Sequence, residues 1–209
     1  LYGENVLRLR MWVLAIGCAV IGSFGLMATG LFDPAKSFYL SQQFSPLASI
    51  IGGGLFGYGM ALAGNCGYGA LARLGGGDMR SFVIVLVMGI SAYATISGPL
   101  AWLRVALFQA SPAGAVPSGI AHTLGDITGL SVAAIGLAIG CMMVALAYAG
   151  QSLRNSRVST MSAIAVGLAV ISAWAGMQYV QNNGFDDGAV VSHSFSAPLC
   201  EVILYGLNA

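Results

Sequence analysis

IGGGLFGYGMALAGNCGYGALARLGGGDMR, residues Ile51 to Arg80, decides how the rest of the chain is read, because eleven of its thirty positions are glycine. These glycines alternate with Leu, Phe, Met, Ala and Tyr rather than with the Ser, Pro and charge of a flexible linker. Such backbone is built to be buried. The pattern predicts a helical piece from Leu47 to Ala63, a non-helical turn from Gly64 to Gly69, and a short helical piece from Ala70 to Leu74. One thiol, Cys66, stands in the turn, within Ala63-Gly64-Asn65-Cys66-Gly67-Tyr68-Gly69. The break is expected to form a site inside a membrane, with the remaining chain as its wall.

Composition fixes the solvent. Charged residues make up 7% of the 209 residues, against roughly 25% in an ordinary soluble domain, while 57% are apolar and the mean hydropathy is +0.84. A chain this poor in charge cannot cover itself with a polar surface, so lipid is its solvent. The apolar runs are continuous and longer than the ten-residue alternating segments of a membrane barrel. The expected class is therefore an all-α polytopic membrane protein, with full transmembrane helices plus short broken or half helices. A net charge of +1 without a basic cluster gives no support to nucleic acid as a partner. Cys18, Cys66, Cys141 and Cys200 are too widely spaced for a disulfide framework or a zinc pattern, and no metal or other cofactor is expected. The chain starts at Leu1 and ends in an unflanked apolar run, which reads as a piece of a longer protein.

Taken in order, a polar flank from Leu1 to Arg10 leads into a span over residues 11–31, closed by Asp33-Pro34. The broken helix follows at 46–74 and a second span at 80–98. A short or interfacial helix is expected at 100–109, then a loop from Ala110 to Asp126 carrying a solvated His122. Further spans are read at 127–149 and 158–180. The loop with Asp186, Asp187 and His193, taken as solvated, precedes a truncated span at 194–209. Orientation follows from the positive-inside rule. If Pro46 to Leu74 crosses once, Arg8, Arg10, Arg73, Arg80, Arg154 and Arg157 share one side and oppose Lys36 and Arg104, six against two. If it dips and returns, the split is three against five. The single crossing is preferred, with the arginine-rich side cytoplasmic. At 1.5 Å per residue a straight crossing from Leu47 carries Cys66 past mid-membrane, whereas a dipping hairpin holds it near the centre, and the two remain open.

The chemistry of the break follows from the medium. In hydrocarbon an unpaired backbone N–H or C=O costs several kcal/mol, so irregular backbone persists only where protein or a wet cavity supplies partners. Gly64, Gly67 and Gly69 permit the turn and let a ligand reach the backbone. A helix restarting after it would aim free N–H groups at one spot, which favours an anion. Cys66 adds a soft sulfur and a weak S–H donor, and Arg73 adds positive potential. The expected substrate-binding set is Gly64, Asn65, Cys66, Gly67, Tyr68, Gly69 and Arg73. The bland reading is a tight helix crossing, since Gly53 with Gly57, and Gly136 with Gly140, have small-xxx-small spacing. Cys18 and Cys141 read as small hydrophobes within spans. Cys200 stays a candidate because Glu201 beside it is an intramembrane carboxylate. No nucleotide-binding motif accompanies the glycines.

The run Gly57 to Ser81, G-x-G-M-A-L-A-G-N-C-G-Y-G-A-L-A-R-L-G-G-G-D-M-R-S, resembles the signature of the YeeE/YedE family of bacterial inner-membrane proteins, which includes thiosulfate-uptake transporters. Similarity extends over most of the chain, including Ser194 to Leu199. The resemblance implies two pseudo-symmetric halves, only part of them in this chain, and cysteines along a pathway that pass thiosulfate on through S–H contacts. Cys66 matches the cysteine of the first Gly-Cys motif. An earlier Phe-Cys motif and a later Gly-Cys motif are absent, so no relay role passes to Cys18 or Cys200.

The expected function is membrane transport of a small sulfur anion such as thiosulfate. The alternatives are a membrane-bound sulfurtransferase or redox subunit that carries a persulfide on Cys66 to a soluble sulfurtransferase-type partner on the cytoplasmic side, and a scaffold without ligand.

Overall fold

A computed structural model describes residues 2–37, 46–107, 119–184 and 196–208. Every regular element among them is helical. Ten α-helices run in order: α1 (Tyr2–Ala28), α2 (Pro46–Ala63), α3 (Gly67–Gly75), α4 (Met79–Ile96), α5 (Ala101–Leu107), α6 (Ile120–Thr128), α7 (Val132–Tyr148), α8 (Gln151–Arg154), α9 (Arg157–Asn183) and α10 (Ser196–Asn208). A 3-10 turn, Pro34–Lys36, follows α1. Val6–Ala28, Leu47–Gly75, Met79–Ile96 and Arg157–Asn183 are each long and apolar enough to cross a bilayer. The protein is an all-α polytopic membrane protein. Its helices fall into two compact units, one of α1 and α6 to α9, the other of α2 to α5 and α10.

In the first unit α1 packs against both α7 and α9. Glycine sets how closely they approach. A methyl on Gly140 would lie 2.6 Å from Ile21 Cγ1 and 3.2 Å from the Gly17 carbonyl oxygen, and one on Gly136 would enter the Phe24 ring. On the other side, a methyl on Gly167 would lie 2.6 Å from Cys18 Cβ. Gly136 and Gly140 thus serve the tight crossing that their spacing suggested. Leu14, Ala147, Leu153 and Ala163 form the buried cluster at one end, where Arg10 Nη1 donates to the Ala147 carbonyl at 3.3 Å. Near the opposite end the buried Gln178 accepts from the Asp33 amide at 3.2 Å and donates to Asn182 Oδ1 at 3.1 Å. Phe32 packs on Trp174 with ring centroids 5.0 Å apart.

Several boundaries differ from the sequence reading. The polar flank before residue 11 is already helix, since α1 begins at Tyr2, and α1 ends at Ala28 rather than 31. The run read as one span over 127–149 holds only the last two residues of α6 and then, after a break, α7 from Val132, the two helices being bent by 120°. Gly129 closes α6 in the left-handed conformation with φ +70°, and Ser131 caps α7 by accepting from the Ala134 amide. Apolar continuity hid this stop signal. Part of the expected Ala110 to Asp126 loop is therefore helix, and His122 is half-buried rather than solvated. It lines an apolar cavity of about 430 Å³ with Phe24, Phe32 and Trp174. Asp186, Asp187 and His193 lie outside the described residues.

In the second unit α4 is the centre. Ser81, Val85 and Gly89, spaced four apart, form its buried face, and α3 and α10 both pack on it. A methyl on Gly89 would lie 2.6 Å from Ile203 Cδ1 of α10. None of the described side chains of α2 is buried. Gly53 and Gly57 have open space beside them, unlike the Gly136 and Gly140 pair.

Candidate functional site

The break between α2 and α3 is shorter than the glycines suggest. Helix ends at Ala63 and restarts at Gly67, so only Gly64, Asn65 and Cys66 leave it. Of Gly64, Gly67 and Gly69, only Gly64 takes the left-handed conformation, at φ +73°, where an L side chain is strained. Its amide still donates to the Met60 carbonyl at 3.0 Å, which closes α2. Gly67 and Gly69 are helical. Gly67 matters for proximity, since a methyl there would lie 2.7 Å from Met88 Sδ on α4, while one at Gly69 would make only ordinary contacts, the nearest 3.5 Å from Asn65 Cβ.

Cys66 caps α3. Its backbone is extended, its carbonyl accepts from the Ala70 amide at 2.9 Å, and its Sγ accepts from the Gly69 amide at 3.4 Å. Sulfur is a weak acceptor, so this cap is looser than one from an oxygen. The thiol hydrogen is not used in the cap. With the Gly69 and Ala70 amides taken, Gly67 is the first amide of α3 without an acceptor among the described residues. The positive end of the helix dipole lies at the same point.

Asn65 is the unusual residue. Both Nδ2 and Oδ1 of its carboxamide are enclosed and have no hydrogen-bond partner among the described residues. Enclosed amides are almost always paired, because leaving one unpaired costs the full desolvation penalty. Asn65 and Gly67 also line a cavity of about 470 Å³, whose other walls include Phe56, Met60, Ala63, Ile84 and Met88 of α2 and α4. Asn65 and the start of α3 thus stand at the edge of a mainly apolar, partly open cavity, and a helix start favours a small anion. Among the expected site residues, the structure brings Asn65, Cys66 and Gly67 together.

The others stand apart. Tyr68 is largely exposed, and Gly64 lies on the exposed side of the turn. Arg73 sits in the last turn of α3, about 10 Å along the helix from Cys66, where its charge acts on Asp78. Cys200 is buried on α10, Glu201 beside it is exposed, and all four cysteines are free thiols. Met88 and Phe56 are wall residues that sequence reading missed, since nothing in an apolar run marks which side chains face a chamber.

The profile of the sulphur transport family matches residues 1–207. The chain belongs to that family. This is the YeeE/YedE family that the Gly57 to Ser81 signature resembles. A 56-residue stretch is 45% identical to the thiosulfate transporter TsuA of Spirochaeta thermophila, covering 27% of this chain and 17% of that protein. As a member of the sulphur transport family, this chain presents its candidate site as a capped helix start beside an unpaired amide.

Proposed function

We propose that this member of the sulphur transport family is part of a permease that passes a small sulfur oxyanion, thiosulfate in the first instance, through the chamber beside Asn65, Cys66 and Gly67. The observation that carries the proposal is the enclosed, unpartnered carboxamide of Asn65, a residue that borders the chamber. With the Asn65 side chain turned toward the chamber, its N–H groups and the Gly67 amide would donate to the anion's oxygens, while the Cys66 S–H would meet the terminal sulfur, a soft acceptor. No covalent step is needed. Leu47–Gly75 would cross once as a broken helix, as the arginine distribution favours, in the bacterial inner membrane. The two-half architecture and delivery to a soluble sulfurtransferase-type partner on the cytoplasmic side belong to the same proposal.

The test is uptake of labelled thiosulfate by the full-length protein in liposomes, with Cys66→Ser and Cys66→Ala compared. Serine keeps and tightens the cap, so Cys66→Ser is expected to fold at least as well as the parent and to transport at least tenfold more slowly. Equal uptake by parent and Cys66→Ser would remove the thiol from the mechanism. A persulfide trapped on Cys66 during turnover would favour the sulfurtransferase reading instead.

A further inference from the structure

The first unit gathers arginine at one end. Arg10 bonds the last turn of α7 through the Ala147 carbonyl, Arg8 lies half a turn away on α1, Arg154 closes α8 and Arg157 opens α9. Between α7, α8 and α9 lies a recess of about 480 Å³ lined by Tyr148, Arg154, Arg157, Thr160 and Met161. Both guanidinium groups are exposed and neither meets a carboxylate among the described residues. Asp33 and Asp126, the unit's acidic residues with described side chains, lie toward the other end. Asp33 bonds Gln178 late in α9, and Asp126 precedes α7 on α6.

Below the arginines the surface turns apolar along a single line. Val158, Met161, Ala165 and Leu168 fall on one stripe of α9 at helical spacing, and all four are exposed. The stripe starts at the recess and runs about 15 Å into the span. Tyr148, at the rim, has the amphipathic ring favoured at headgroup level.

We propose that this recess binds the phosphate of an anionic phospholipid, with Arg154 and Arg157 on the phosphate oxygens and one acyl chain along the Val158 to Leu168 stripe. Two planar guanidinium forks suit a phosphate. Four arginines at one end repel the cationic group of a zwitterionic headgroup, so a net-negative lipid is preferred. A free anion would make no use of the apolar stripe. The inference needs only that the chain spans a membrane and stands apart from the transport reading.

The test reconstitutes the full-length protein in nanodiscs of phosphatidylcholine with a minor fraction of phosphatidylglycerol and counts the lipids that remain after extraction, by native mass spectrometry. The parent is expected to retain phosphatidylglycerol above its share of the bilayer. R154Q/R157Q is expected to hold it about 30-fold more weakly, from roughly fivefold per arginine. R80Q/R104Q, which removes the same charge elsewhere, is expected to behave as the parent. Equal retention by the parent and R154Q/R157Q would overturn the proposal. Two results on the parent alone would also do so, and hold even if the double variant fails to fold. One is no preference for phosphatidylglycerol over phosphatidylcholine. The other is displacement of the lipid by millimolar inorganic phosphate or thiosulfate, which would mark a site for a soluble anion.

Discussion

Replacing Asn65 by Leu removes two enclosed polar atoms without hydrogen-bond partners and keeps the branched heavy-atom shape, with methyls where the amide oxygen and nitrogen stood. An unsatisfied enclosed group destabilises a protein by about 1–3 kcal/mol, so relieving both stabilises the substrate-free protein by about 2 kcal/mol at the low end. For a chain of this length that is a rise of roughly 4–8 °C in the unfolding midpoint. On the proposed function the same change deletes N–H donors that would bind the anion. A hydrogen bond to a charged group contributes about 1.5–3 kcal/mol, so the half-saturation concentration for thiosulfate is expected to rise by roughly 10- to 100-fold. The assay pairs thermal unfolding of purified protein, with and without thiosulfate, with uptake in liposomes. A structural amide would behave in the opposite way. If Asn65→Leu unfolds at a lower temperature than the parent and takes up thiosulfate normally, Asn65 supports the turn and the site reading fails. A parent that takes up no thiosulfate would reject the substrate, whatever the variant does.

Gly64→Ala is expected to lose about 1–2 kcal/mol from left-handed strain alone, since open space surrounds the position. Gly64→Asn, which tolerates that conformation, is expected to recover much of the loss in the same unfolding measurement. Gly140→Val drives a branched side chain into Ile21 and the α1 backbone, so overpacking of about 1–3 kcal/mol or more is expected to lower the yield of folded protein, read by size-exclusion chromatography. Asp78 caps α4, and hydrogen bonds from the Ser81 hydroxyl and then the Arg80 amide hold its carboxyl below the ordinary carboxylate range. A lowered folded pKa means that its contribution is complete at neutral pH and lost as pH falls through that lowered value. Asp78→Asn is expected to flatten the acid limb of the unfolding midpoint against pH.

The membrane class was legible because charge is scarce and apolar runs are long, and both are properties of composition. The helix break was legible because Gly64 and Cys66 interrupt a periodic run. Its length was not, since glycine permits a turn without requiring one, and only φ at Gly64 separates it from the helical Gly67 and Gly69. The bend between α6 and α7 was written in Gly129 and Ser131, a C-cap glycine followed by an N-cap serine. Hydropathy averages over such signals, because one glycine and one serine hardly change the mean of an apolar window. The arginine recess was legible only as scattered positive charge. Arg154 and Arg157 become one feature through the short α8, which brings them to the same end as α7.

The caps of the helices bear on why residue 66 is cysteine. Where a side chain caps a helix start, Asp33, Asp78, Ser131 and Ser156 do so with oxygen, and Cys66 with sulfur at 3.4 Å. Oxygen is the better acceptor, and the extended backbone at position 66 would accept serine or aspartate without strain. Stability of α3 therefore argues for an oxygen cap at this position. On the proposed function, aspartate would place a negative charge where the anion approaches. On the same proposal, serine would offer a hard hydroxyl to the terminal sulfur of thiosulfate. Cysteine gives up part of the cap and keeps a neutral, polarizable donor at the turn. A weak cap beside an unpaired amide is a local loss of stability at two adjacent residues. Losses of this kind concentrate where binding, rather than folding, sets the choice of residue.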